Sequence, residues 1–148
     1  MTEPAHSTAR IAGHPIHPML VSFPIAFWIG ALFTDIAYAN SYNLFWLNAS
    51  AWLILAGLVM AGLAATAGLV DFLGSRGVRE HKTAWAHMIG NVTATVLQIF
   101  NELVHTRDGA DAVVPTGLTL SVIVVLILAV TGWLGWELVY RKKVGVAE

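Results

Sequence analysis

Most of the charge on this chain clusters at its two ends and in two short internal segments, and that clustering limits the fold more than any single residue. Between the charged segments lie apolar blocks at residues 18–39, 44–73, 83–105 and 115–140. A bilayer's hydrocarbon core takes roughly 20 residues of helix to cross, and each block reaches that length. The 148 residues are 57% apolar and 11% charged, where soluble domains carry about 25% charged residues. No stretch has the composition of a linker or of a second, soluble unit. The expected fold is therefore all-α: an integral membrane four-helix bundle, one domain over residues 1–148, with a loosely ordered tail at 1–12 and a basic tail at 141–148.

Composition also excludes whole classes of function. The net charge of −1 and scattered basic residues do not make a nucleic-acid surface. No cysteine is present, which removes disulfides, thiolate metal sites, cysteine-ligated iron–sulfur clusters and covalent c-type haem attachment. The lipid bilayer is the one partner that composition demands. Ala37, Tyr38 and Ala39 resemble a signal-peptidase site after an apolar run, but Pro24 and Asp35 inside that run argue for an uncleaved first membrane helix.

Lysine and arginine set the expected orientation. Three lie between the second and third blocks and three in the C-terminal tail, against none between the first and second. By the positive-inside rule both termini and the basic loop face the cytoplasm of a bacterial inner membrane. His14, His17, Asp71, His81, His87 and Glu137 then gather near one depth.

The segment Gly13-His14-Pro15-Ile16-His17-Pro18 opens the first block. Residues before proline avoid the α region, Pro18 suits a first helical turn, and Pro24 inside the helix bends its axis. Two imidazoles are thus expected at the mouth of a kinked membrane helix, as interfacial caps or as ligands. The third block carries His87, Asn91, Thr95, Gln98, Glu102 and His105 at steps of four, four, three, four and three, one face of a helix. That stripe extends ~27 Å at 1.5 Å per residue, and uncompensated polar groups do not face lipid. It faces a bundle interior, a water path, a cofactor or another subunit. Helix one offers His14, His17, Val21, Pro24, Trp28, Ala31 and Asp35 on one face. Helix two offers Gly57, Ala61, Ala64, Gly68 and Asp71, with Arg79, Lys82 or a histidine expected to partner Asp71. Trp46, Trp52, Trp136 and Tyr140 read as interfacial anchors.

Three functional classes fit these patterns. A b-type haem needs one or two axial histidines in an apolar slot, which His14, His17 and His87 supply; a redox partner subunit or quinone would accompany it. A metal ion with more protein ligands draws on His14, His17, His87 and Asp71. Proton or ion conduction needs only the polar stripe, with His87, Glu102 and His105 as its titratable groups. A structural or assembly subunit, with the stripe packed on a partner or on a second copy of the chain, stands beside them.

The run from His14 to Ala26, His-Pro-Ile-His-Pro-Met-Leu-Val-Ser-Phe-Pro-Ile-Ala, and the tail from Gly132 to Val146 resemble a bacterial membrane family, domain of unknown function 2231, transmembrane. The resemblance implies a small four-helix membrane domain, joined in some relatives to redox modules of the Rieske iron–sulfur type. Ser22 stands where such relatives often have a third histidine, and Lys142-Lys143 where they often have His-Gly. The ligand set that the resemblance implies is reduced here to His14, His17 and His87.

Overall fold

In the computed structural model, which describes residues 7–145, helices follow the apolar blocks closely. A two-stranded hairpin, β1 (Arg10–Ile11) with β2 (His14–Pro15), opens the chain. Its turn needs left-handed backbone at Ala12 and Gly13, with φ of 50° and 82°. Helix α1 (Ile16–Leu20) follows, then α2 (Ser22–Ser41) after an interruption at Val21. The break has the cause expected of Pro24: lacking an N–H, it leaves the carbonyl one turn earlier without its helical donor.

Left-handed Tyr42 ends α2, its N–H returning to Tyr38 O at 2.7 Å. Asn43 caps α3 (Leu44–Gly74) by accepting from Phe45 N at 2.9 Å, as Asn does at helix starts. The basic loop contains a short helix, α4 (Arg76–Arg79), capped by Ser75. The Arg79 guanidinium donates to the carbonyls of Phe72 and Leu73, closing the end of α3. Helix α5 (Lys82–Thr106) starts at His81. After α6 (Ala110–Ala112) and a π-helical turn at Val113–Gly117, α7 (Leu118–Trp136) runs into a second π turn at Glu137–Arg141. Val114 is extended, with φ −117° and ψ 116°, as a residue before proline prefers.

Three segments are long and apolar enough to cross a membrane: Ile16–Ser41, Leu44–Gly74 and Ala110–Arg141. The protein is thus an all-α membrane protein that contacts the lipid bilayer. The fourth long helix, α5, is the polar one. Helix α2 packs on α3 and α7, and α5 packs on the same two. At mid-height Trp28, Ala61, Ala94, Val124 and Leu128 form a buried apolar layer drawn from all four long helices. Gly57 permits the close approach of α2 to α3: a Cβ there would lie 2.1 Å from the Trp28 indole nitrogen. That nitrogen donates to Ile54 O at 3.3 Å.

The faces read from sequence are the buried ones. Pro24, Trp28, Ala31 and Asp35 line the inner side of α2, and Gly57, Ala61 and Ala64 that of α3. Trp52, Trp136 and Tyr140 are exposed near helix ends, where aromatic anchors belong.

One expectation needs correcting. Residues 7–11 of the N-terminal segment are tied down, and residues 1–6 of the tail lie outside the described residues. The tie is Asp71, whose Oδ1 accepts from Ser7 Oγ, Thr8 N and Ala9 N at 2.8, 2.7 and 2.8 Å. Neutral donors satisfy this acid in place of the expected cation, because Arg79 is spent on the end of α3.

Candidate functional site

Two polar centres lie at opposite ends of the molecule, on either side of the Trp28 layer. Each is built around a histidine of α5.

The first joins His17 and His87. His17, on α1, donates from Nδ1 to Ala64 O of α3 at 2.7 Å. His87 donates from Nδ1 to Thr131 O of α7 at 2.9 Å. A carbonyl only accepts, so each Nδ1 carries a proton, and the tautomer this selects has its lone pair on Nε2. Both rings rest on glycines. A Cβ at Gly68 would lie 2.8 Å from His17 Nδ1, and one at Gly135 3.0 Å from His87 Cε1. The ring centroids are 6.2 Å apart and the planes nearly perpendicular, at 88°. The Asn91 amide nitrogen lies 3.3 Å from His87 Nε2 but is better placed for the His87 carbonyl, at 2.7 Å. Thr131 Oγ1 reaches Asn91 Oδ1 at 3.4 Å.

The structure brings together only these two of the four metal candidates. His14 is exposed in the hairpin, its Nδ1 turned to Ala12 O at 3.0 Å. Asp71 is spent on the N-terminal segment. Among the described residues no three histidine or acidic side chains gather closely enough to hold a metal ion.

The second centre is wholly buried. Asp35 of α2 and Ser50, Asn101 and Ser121 are all 0% exposed, and His105 is 4% exposed. Asp35 Oδ1 accepts from Ser50 Oγ and from His105 Nε2, the latter at 2.8 Å. Its Oδ2 accepts from Ser121 Oγ at 2.5 Å. His105 Nδ1 meets Asn101 O at 2.8 Å, so this ring faces an acceptor on both nitrogens. Asn101 Nδ2 spans Gln98 Oε1 and Ser121 Oγ at 3.0 and 2.9 Å. One carboxylate thereby ties α2 to α3, α5 and α7. Gly117 makes room, since a Cβ there would come within 2.8 Å of His105 Cε1.

The stripe of α5 is divided between the two centres. His87 and Asn91 belong to the first and Gln98 and His105 to the second. Thr95, between them, returns its hydroxyl to Asn91 O at 2.8 Å. Glu102 is half-buried beside His105. Asp35 stood on the predicted inner face of helix one without being named as a site residue; its signal was being the one charged side chain of that span. Ser50, Asn101 and Ser121 were missed altogether. Small hydroxyls are common in membrane helices, and Asn101 shares a turn with Glu102, so spacing alone did not separate them.

A family model described as a predicted membrane protein, DUF2231, matches residues 13–148. The chain belongs to this family. No match to it is found among curated proteins or among solved structures. Family membership makes the chain a membrane protein and leaves its reaction open.

Proposed function

We propose that the protein is a membrane redox module in which His17 and His87 would hold a b-type haem. The observation that supports this reading is the disposition of the two rings. The two ring centroids lie 6.2 Å apart, and with each Nδ1 given to a carbonyl both Nε2 atoms are left to hold a metal ion. Each ring also donates its other nitrogen to a main-chain carbonyl, the orientation by which proteins fix metal-binding histidines. Two protein nitrogens suit haem iron, which takes its other ligands from the porphyrin, better than zinc, which wants three or four from protein and water.

Bound haem supplies one-electron transfer. The chain's own residues hold the tautomers, seat both rings on Gly68 and Gly135, and exclude water through the Trp28 layer. A quinone or a redox partner subunit would exchange the electron. This reading takes α1–α2, α3, α5 and α6–α7 as four spans of a bacterial inner membrane, with both termini, the basic loop and this pair towards the cytoplasm, on the strength of the lysine and arginine distribution. Reporters fused after Glu148 or inserted at Gly77 should both read cytoplasmic.

The test is the visible spectrum of protein purified in detergent from haem-replete cells. A Soret band that shifts on dithionite reduction, and is lost in His17→Ala and in His87→Ala, supports the reading. A colourless parent protein overturns it.

A further inference from the structure

The Asp35 centre lies at the other end of the molecule from the paired histidines and plays no part in holding a haem. Its hydrogen bonds fix where protons must be. Nδ1 of His105 faces a main-chain carbonyl and Nε2 faces a carboxylate; neither group donates while Asp35 is ionised. Asp35 Oδ2 already receives the Ser121 hydroxyl, and Oδ1 shares the Ser50 hydroxyl with Ala31 O. One proton is therefore shared across the 2.8 Å between His105 Nε2 and Asp35 Oδ1. Remove it and two lone pairs face each other over that distance.

Three further atoms are unexplained by packing. Glu102 Oε2, Gln98 Nε2 and Asn101 Oδ1 are buried without a hydrogen-bond partner among the described residues, which is costly for a polar group kept from water. Glu102 lies one turn before His105 on the same helix, at the i, i+3 spacing that makes side chains neighbours. Its residue is half-exposed while this oxygen is turned inward.

We propose that Asp35, His105 and Glu102 form a proton-exchange site that opens to one membrane face only. Glu102 collects a proton from water, and the His105–Asp35 pair stores it under the two serine hydroxyls. The Trp28 layer separates this site from the His17–His87 pair, so the proton returns by the way it came. Ionisable groups on the surrounding elements do not compete. Asp35 is the only charged residue of α2, and Asp71, bound at the far end, is the only one of α3. Helix α7 has none, Asp111 of α6 is exposed, and Tyr38 of α2 donates its hydroxyl to Ala110 O at 3.1 Å.

The test is nuclear magnetic resonance of histidine-labelled (15N) protein in detergent micelles, with His105 assigned by its disappearance in His105→Gln. At neutral pH the His105 ring should carry protons on both nitrogens, and on one only in Asp35→Asn. Glu102→Gln should keep both protons but slow exchange of the Nε2 proton with solvent at least tenfold, and Glu102→Asp should restore part of the rate. A singly protonated His105 in the parent protein overturns the site, and so does an exchange rate unchanged in Glu102→Gln. Neither reading requires Asp35→Asn to fold, and neither depends on haem.

Discussion

The two ends of α5 use the same side chain to opposite purpose. His87 gives one nitrogen to a carbonyl and keeps the other as a lone pair in a half-buried seat beside His17. His105 commits both nitrogens to acceptors in a fully buried cage around Asp35. A histidine with one nitrogen to spare is built to bind something. One with none to spare is built to hold helices together and to keep a proton. The sequence shows two histidines on one polar face; their partners on α1, α2, α3 and α7 make them different.

Breaking the caged end should have the largest effect on stability. Asp35→Ala removes the partner of His105 and the acceptor of the Ser121 hydroxyl at once, leaving Ser50 only Ala31 O and Thr34. Losing one member of a buried pair costs roughly 3–5 kcal/mol, so thermal denaturation in detergent should show a large drop in midpoint. A midpoint equal to the parent's would mean that this cage does not fasten the helices.

Gly68→Ala sharpens the comparison at the other end. The new methyl would meet His17 Nδ1 at 2.8 Å and must displace the ring from Ala64 O. Overpacking of this kind costs about 1–3 kcal/mol, but the larger consequence should be loss of bound chromophore. Retention of the parent spectrum would show that His17 is not a ligand.

These two variants also measure what sequence could and could not give. The inner faces of α2 and α3 were legible because small and aromatic residues recur there at helical spacing. The kink before Pro24 was legible because a missing N–H is a local fact. The cage around Asp35 was not, because Ser50, Asn101 and Ser121 become polar partners only when three helices converge on one carboxylate. The partners of Asp71 were not legible either. Opposite charge points to Arg79, Lys82 or a histidine, whereas the structure satisfies the acid with two backbone N–H groups and the hydroxyls of Ser7 and Thr8.

Asp71→Asn should have the smallest effect. The amide oxygen still accepts, but hydrogen bonds to a charged group, at about 1.5–3 kcal/mol, fall towards the ~1 kcal/mol of neutral ones. The tie to residues 7–9 should loosen while both histidine centres stay intact. Faster tryptic cleavage after Arg10, with an unchanged melting midpoint, would show this; cleavage at the parent rate would mean that the segment is held by other contacts.

The most direct test of the difference between the two histidine centres is a haemin titration of haem-depleted protein in detergent, read at the Soret band. The parent should saturate at one haem per chain with a six-coordinate, bis-imidazole spectrum, and His87→Ala should lose that spectrum while remaining folded. An identical titration curve in the parent and in His87→Ala, or no Soret change in either, would contradict the assignment of His17 and His87 as the ligand pair.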